Sequence, residues 1–327
     1  MKLSIICYLS DDKKLNQTTV EALEKMASYS LEHDNQVTVA GKHVDKKYNN
    51  GKKDSVTASY EVEVILNTDR VQDDRSWYEN VITRIGNHAF TSKVNKETYV
   101  SEQDAHQKMA EKASGDYIMI IHAGDDISSN LAEVFVKGNV HCYDMDTYMI
   151  TKAFHDETFG AFRNYKKVTD GEDIKSFYII DLKSKYDCFP FGFGGVIIRA
   201  EAFKKQSVDP ALGLEAERDF MLRLMAKSMK TCFLPYAILT AYEYEEHDNI
   251  FYRGLYMREW YFESITDFWM PFLQEMKVTY GSIPVFIQYN FMYSVMARFN
   301  GNMDNKNKHV IEEGHGEEYL ELIGQAL

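Results

Sequence analysis

The sequence predicts an α/β fold in which a sheet, parallel through its first half, carries helices on its faces and is followed by a helical C-terminal segment. Three observations carry this. Over the first half of the 327 residues, short unbroken apolar runs alternate with stretches whose apolar residues recur at helical spacing, as expected of repeated strand-helix units. One run, residues 117–121, is short and continuous enough to be a strand buried on both faces, and two acids, Asp125 and Asp126, follow where it would stop. After residue 250 the chain turns rich in Tyr, Phe, Trp and Met, with helical spacing in Tyr256, Trp260, Ile265, Phe268 and Trp269, a pattern that usually marks packed core.

In chain order, residues 3–9 read as a buried strand and residues 18–31 as a helix with Val20, Leu23, Met26, Ala27 and Leu31 on one face. Val37 and Val39 alternate with polar residues, residues 46–54 form a Lys- and Asn-rich exposed loop, and residues 60–66 give the next strand. Residues 77–85 and 101–113 are helical in pattern, the second leading through Ser114-Gly115 into the strand at 117–121. Strand character returns at 146–154. Gly192-Phe193-Gly194-Gly195 then precedes a strand at 196–198 and a helix from Ala200; glycines here let backbone approach a ligand or simply turn sharply. Residues 216–227 carry Phe220, Met221, Leu224 and Met225 on a helical face, 231–234 read as a strand ending at Pro235, and 242–249 are acidic and aromatic. Residues 251–276 and 283–299 read as helices, 300–308 as a polar break and 317–327 as a last helix. The domain reading is 1–248 for the α/β unit and 249–327 for an aromatic-rich helical subdomain.

Composition narrows the functions. A 45% hydrophobic chain of this length can bury a substantial core. Its net charge of −13 lacks the clustered Lys and Arg that a nucleic-acid partner requires. Cys7, Cys142, Cys188 and Cys232 are too scattered for a zinc site or a disulfide framework, which fits a reducing cytoplasm. No spanning helix is expected from the sequence.

In an open α/β sheet, ligands bind outside the carboxyl ends of the strands, and hard divalent cations prefer carboxylate oxygens. Asp125 and Asp126 are therefore candidate metal ligands; equally, they could open the following helix, since Asp caps well and Leu131 begins an apolar run.

Four segments then occur in an order that resembles the family two glycosyltransferases of GT-A fold, which move a sugar from a nucleoside diphosphate to an acceptor with inversion. Residues 3–11 are similar to that family's first nucleotide-contacting strand and loop. Ala105-His106-Gln107-Lys108-Met109, continuing to Asp125-Asp126, looks like the helix and strand that deliver its DxD motif. Gly194-Gly195 through Phe203 resembles the strand and helix beside the acceptor. Glu217-Arg218-Asp219-Phe220-Met221-Leu222-Arg223-Leu224, followed by Phe233-Leu234-Pro235 and His247, looks like the base-bearing helix, the next strand and a distal histidine.

The resemblance implies a GT-A fold with a Rossmann-like mixed sheet and a metal-assisted transfer from a UDP-sugar to a glycan, a glycolipid or another lipid-linked acceptor. It implies Mn²⁺ or Mg²⁺ held by Asp125 and His247, donor contacts at Leu9, Ser10, Asn67, Asp69, His106 and Asp125, and a carboxylate base at Glu217 with Asp219 as second candidate. Positions two apart on a helix do not share a face, so Glu217 and Asp219 are not expected to do the same work. Ala123 stands where the family carries the first acid of DxD, and His106 where it often carries Arg. The C-terminal helices faintly resemble those following such domains in teichoic-acid and capsule enzymes, which implies a cytoplasmic protein with peripheral membrane or protein contact there. The competing expectation is a catalytically weak or inactive GT-A module that binds nucleotide or glycan within an assembly.

Overall fold

The structure, a computed structural model, describes residues 1–40, 55–68, 71, 75–87, 90–154, 157–160, 177–241, 254, 257–303, 311 and 315–326. Its first strand, β1 (Lys2–Tyr8), lies inside the sheet because both of its faces are apolar. Ile6 and Tyr8 enter one core, while Leu3, Ile5 and Cys7 enter the other, the period-two split expected of a strand covered on both sides. The separate hairpin of β2 (Gln36–Ala40) and β3 (Ser55–Ser59) follows the first helix, α1 (Lys13–Glu32). β1 pairs in parallel with β4 (Glu61–Asn67), which pairs in parallel with β5 (Phe90–Asn95) after helix α2 (Arg75–Asn87). On its other side β1 pairs in parallel with β6 (Tyr117–His122), reached through α3 (Glu102–Lys112).

Beyond β6 the sheet becomes mixed. β7 (Asp126–Ile127), α4 (Leu131–His141), β8 (Thr147–Phe154), β9 (Glu157–Gly160), β10 (Tyr178–Asp181), β11 (Val196–Arg199), α5 (Ala200–Lys204), α6 (Ala216–Ser228) and β12 (Lys230–Ala241) complete this part of the chain. The strand order is β10-β12-β8-β11-β6-β1-β4-β5, with β7 on β12 and β9 on β8. β11 is antiparallel to both β6 and β8. The chain builds outward from β1 through β4 to β5, then returns to the opposite side of β1 with β6. That reversal is where open α/β sheets form their crevice, at the strands' carboxyl ends.

The C-terminal segment comprises α7 (Arg258–Tyr261), a π-helical stretch Ser264–Trp269, α8 (Met270–Tyr280), α9 (Val285–Met303) and α10 (Gly316–Ala326). Its aromatic stripe is core: Trp260, Tyr261, Phe268, Trp269, Phe272 and Phe291 are buried in the same apolar cluster as Ile6, Ile118, Phe193 and Phe220. Tyr256 lies outside the described residues, as do the whole of the exposed loop expected at 46–54 and all of 242–249. Among the described residues no helix is long and apolar enough to cross a membrane.

Three departures from the sequence reading, in the first helix and in the sheet, have clear physical reasons. α1 begins at Lys13 because the Asp12 carboxylate accepts from the backbone N–H groups of Lys14 and Leu15 at 2.7 and 3.2 Å. β5 was not expected, since Thr91, Ser92 and Lys93 give it no apolar alternation; it is a half-exposed edge strand held by its register with β4. β12 runs through Pro235, with a register shift between Leu234 and Ile238. A shift of this kind accommodates a residue that has no N–H to donate to the ladder.

One buried acid ties the amino ends of these strands together. Glu63 of β4 accepts from Ser4 Oγ at 2.6 Å, from the backbone N–H of Ser114 at 2.8 Å and from Lys93 Nζ at 2.6 Å. The turn before β6 closes on the same spot: a Cβ on Gly115 would lie 2.6 Å from Ser4 Oγ and 2.7 Å from Ser4 N, so only glycine fits. Burial alone would push the Glu63 carboxyl up; its three donors outweigh that and hold it down at about 2, from an ordinary 4.5. The folded form thus favours the carboxylate by about 3 kcal/mol. That stability is fully present above about pH 4.5 and is lost as pH falls toward 2. Acid titration of the unfolding free energy is expected to show this loss, and Glu63→Gln to flatten it; an unchanged acid limb in the variant would assign the loss elsewhere.

Candidate functional site

The carboxyl ends of the four parallel strands form one row. Tyr8 of β1 lies in register with Asn67 of β4 on one side and His122 of β6 on the other, and Asn67 with Asn95 of β5. Leu9 N–H donates to the Asn67 carbonyl at 3.2 Å. The loop after it is pinned by Asn16, which accepts from Ser10 N–H at 3.0 Å and donates to the Ser10 carbonyl at 2.8 Å. The buried Asn67 side chain accepts from Asn95 Nδ2 at 3.0 Å. Leu9 and Asn67, both fully buried, and the half-buried Ser10 therefore lie together at the sheet's switch point. Asp69 and His247 lie outside the described residues.

At the end of β6 the chain turns through residues 123–125, and Asp125 folds its carboxylate back so that Oδ2 accepts from His122 N–H at 2.8 Å. The same oxygen is 3.7 Å from His122 Nδ1. Asp125 is 6% exposed. Asp126 does not open the following helix: it is exposed and pairs with Thr240 as part of β7, while Asn130 occupies the cap position of α4.

His106 comes from α3 and is fully buried. Its ring meets Tyr8, His122 and Phe193 edge-on, with centroids 6.3, 5.4 and 5.8 Å away. Placed by the resemblance against the donor diphosphate, it instead lies beneath the rim. Its Nδ1 is 3.5 Å from Glu217 Oε1 and its Nε2 is 3.8 Å from Glu102 Oε1. Among the described residues, neither ring nitrogen has a hydrogen-bond partner. Burial pushes the His106 imidazole toward its neutral form, against the pull of Glu217 and Glu102. His122 behaves oppositely. Burial works against its charge, but the carboxylates of Asp125 and Glu102 beside it win and hold it well above the ordinary histidine range; its Nε2 is 3.0 Å from Glu102 Oε1.

Glu217 and Asp219, both near the start of α6, face different neighbours. Glu217 Oε2 accepts from Phe193 N–H at 3.0 Å, and Gly192 makes that approach possible, because a Cβ there would lie 2.6 Å from the same oxygen. Asp219 accepts from Arg223 Nε at 2.7 Å, and Arg223 also bonds Glu275 of α8. Burial raises the Asp219 carboxyl against its arginine partner. The two carboxylates thus diverge, Glu217 toward the histidines and Asp219 toward the C-terminal helices.

The arrangement joins Asp125, His122, Glu102, His106 and Glu217 into one continuous group, so carboxylates 92 positions apart in the chain are bridged by two imidazoles. Glu102 and His122 were not among the expected site residues. A signal was present: Glu102 and His106 are four apart on a predicted helix and so share a face, and His122 ends the strand that the helix feeds. An ion implied at Asp125 would find one carboxylate oxygen already accepting from its own turn, whereas Glu102, His106 and His122 offer ligand atoms all within 4.8 Å of one another.

No protein-family model and no curated protein sequence matches the chain. Solved structures do. TarS residues 1–349 from S. aureus superpose with a TM-score of 0.55 at 11% identity, over the whole of this chain and 80% of that one. GalNAc-T7, solved with UDP, GalNAc and Mn²⁺, gives 0.50 at 13% identity over 91% of this chain and 58% of that one. Against a longer S. aureus TarS structure the chain spans 38% of the length. At these identities the likeness speaks to architecture, and the architecture of this chain is the GT-A glycosyltransferase fold.

Proposed function

We propose that this chain transfers a sugar from a nucleoside-diphosphate donor, UDP by the resemblance, to a hydroxyl of a glycan or lipid-linked acceptor with inversion at the anomeric carbon. The observation that carries the reading is the placement of Glu217: a partly exposed carboxylate on α6, oriented by Phe193 N–H, within the group of side chains that gathers at the β1/β6 switch point. In the reaction the acceptor oxygen bonds to the anomeric carbon while its proton passes to Glu217. The bond from that carbon to the diphosphate breaks, with its electron pair leaving on the diphosphate. Ser10 stands where the nucleotide would lie, with Leu9 and Asn67 buried beside it at the ends of the same strands. A divalent cation, when bound, would neutralise charge on the leaving phosphates. GalNAc-T7 crystallised with UDP and Mn²⁺, and both are carried to this chain as part of the proposal.

A thermal-shift screen of nucleoside diphosphates with and without Mn²⁺ tests the donor side. A ligand that binds only the folded form at 100 times its Kd stabilises it by about 2.7 kcal/mol. UDP is expected to raise the unfolding temperature more than ADP, GDP or CDP do, and more with Mn²⁺ than without. No shift from any nucleoside diphosphate would remove the reading.

A second reading, a nucleotide- or glycan-binding module without turnover, is favoured by Ala123 in place of the first acid and by the engagement of Asp125 in its own turn. UDP binding by calorimetry, together with no hydrolysis or transfer from any UDP-sugar supplied, would select it.

A further inference from the structure

We propose that Glu102, His106 and His122 form a binding site for a divalent transition-metal ion of the Zn²⁺ or Co²⁺ class, occupied without nucleotide and distinct from an ion held by Asp125. Both imidazoles direct Nε2 at the same atom, Glu102 Oε1, at 3.8 Å for His106 and 3.0 Å for His122. With bonds of roughly 2.0–2.2 Å, ligand atoms around a tetrahedral zinc are separated by about 3.3 Å, so the observed pair of distances brackets the spacing an ion would impose.

Both imidazoles also direct Nδ1 at a second carboxylate. His106 Nδ1 is 3.5 Å from Glu217 Oε1, and His122 Nδ1 is 3.7 Å from Asp125 Oδ2. Metal-bound histidines characteristically present one nitrogen to the ion and the other to a carboxylate, which fixes the ring and raises its donor strength. Here that arrangement occurs twice around one point.

Ordinary pairing explains only half of the group. A hydrogen bond from His122 Nε2 to Glu102 accounts for those two residues. It leaves His106 fully buried with both ring nitrogens unsatisfied, a condition that costs about 1–3 kcal/mol per group. An ion between His106 Nε2, Glu102 and His122, taking the place of the proton on His122 Nε2, removes that cost at His106 Nε2. Glu102 and His122 are each about one-third exposed on their side chains, 32% and 35%, so the ion would keep a face open to solvent or to a substrate oxygen. Two imidazoles and one carboxylate suit Zn²⁺, Co²⁺ or Mn²⁺ rather than Mg²⁺, which prefers oxygen ligands and retains its waters.

The test uses the full chain without an affinity tag, stripped of metal and free of nucleotide, so it is independent of sugar transfer. Titration with Co²⁺, followed by visible absorbance, and with Zn²⁺, followed by calorimetry, is expected to give one equivalent bound, undiminished by millimolar Mg²⁺. Glu102→Gln and His122→Asn, at partly exposed positions, are expected to stay folded without metal, as far-UV circular dichroism checks, and to lose at least tenfold in affinity. His106→Gln is expected to lose more. Asp125→Asn, removing only the carboxylate behind His122, is expected to lose less than Glu102→Gln. Binding equal to wild type in Glu102→Gln and His122→Asn, effective competition by Mg²⁺, or loss in Asp125→Asn alone would each overturn the proposal, and the last would place the ion where the transferase reading expects it.

Discussion

Glu217→Gln is expected to lower the turnover of sugar transfer by about 10²- to 10⁴-fold, the span that a positioned general base contributes, while donor affinity stays near wild type. The substitution is suited to the question. A glutamine side-chain oxygen can still accept from Phe193 N–H, which now meets Glu217 Oε2 at 3.0 Å, so the loop at Gly192 and Phe193 keeps its anchor. What disappears is the capacity to take the acceptor's proton. Asp219→Asn provides the contrast, because Asp219 is occupied by Arg223 at 2.7 Å and faces α8. Its loss is expected to appear as a lower unfolding temperature with turnover per folded molecule largely retained. Steady-state kinetics on both variants, with UDP binding measured separately, decides between them. Unchanged turnover in Glu217→Gln would take Glu217 out of the reaction, and a collapse in Asp219→Asn with normal stability would put Asp219 in its place.

The parts of this molecule that were legible from sequence are those whose environment is uniform along the chain. β1 and β6 announce themselves as continuous apolar runs because both faces are covered, and α6 shows its buried face in Phe220, Met221, Leu224 and Met225. β5 could not be read in this way. Its residues are polar at an edge, and its existence depends on hydrogen bonding to β4, a partner that lies more than twenty positions away. The site divides along the same line. The helical rule that positions two apart face differently separates Glu217 from Asp219 before any coordinates are known, and the geometry of Arg223 and Phe193 is consistent with it. The burial of His106 depends on Tyr8, His122 and Phe193 converging from three distant segments, and no local pattern encodes that. Glu102 sat in plain view as the i−4 neighbour of His106, but its relevance depends on where β6 ends.

The largest effect on stability is expected from a residue with no proposed part in chemistry, Glu215. It precedes α6, is 2% exposed, and is the carboxylate shared by two buried arginines: Oε2 lies 3.0 Å from Arg218 NH1 and Oε1 3.3 Å from Arg298 NH2. The surrounding groups complete a network. Ser264 Oγ donates to Glu215 Oε1 at 2.8 Å, Arg298 Nε donates to the Trp260 carbonyl at 2.8 Å, and Arg218 NH1 donates to Ser294 Oγ at 3.1 Å. The Arg298 guanidinium also lies over the Trp260 ring, 4.3 Å from its centroid, and burial holds its pKa below the usual arginine range despite Glu215. Glu215→Gln keeps the shape and removes the negative charge, leaving two guanidinium groups in a water-poor site without their shared carboxylate. Breaking a buried ion pair in this way costs about 3–5 kcal/mol, a large fraction of the roughly 5–15 kcal/mol that holds a typical domain folded. Chemical denaturation is expected to show that loss, and hydrogen exchange to show it concentrated in α7, α9 and the start of α6, because the network joins those elements. A loss below about 1 kcal/mol, of the size typical for exposed pairs, would mean that water or rearranged side chains already screen these charges. The consequence for function follows from the chain itself: Glu217 is two residues beyond Glu215, so the helix that presents the proposed base is fixed in place by the C-terminal helices, and loosening them is expected to lower turnover without touching any group that meets substrate.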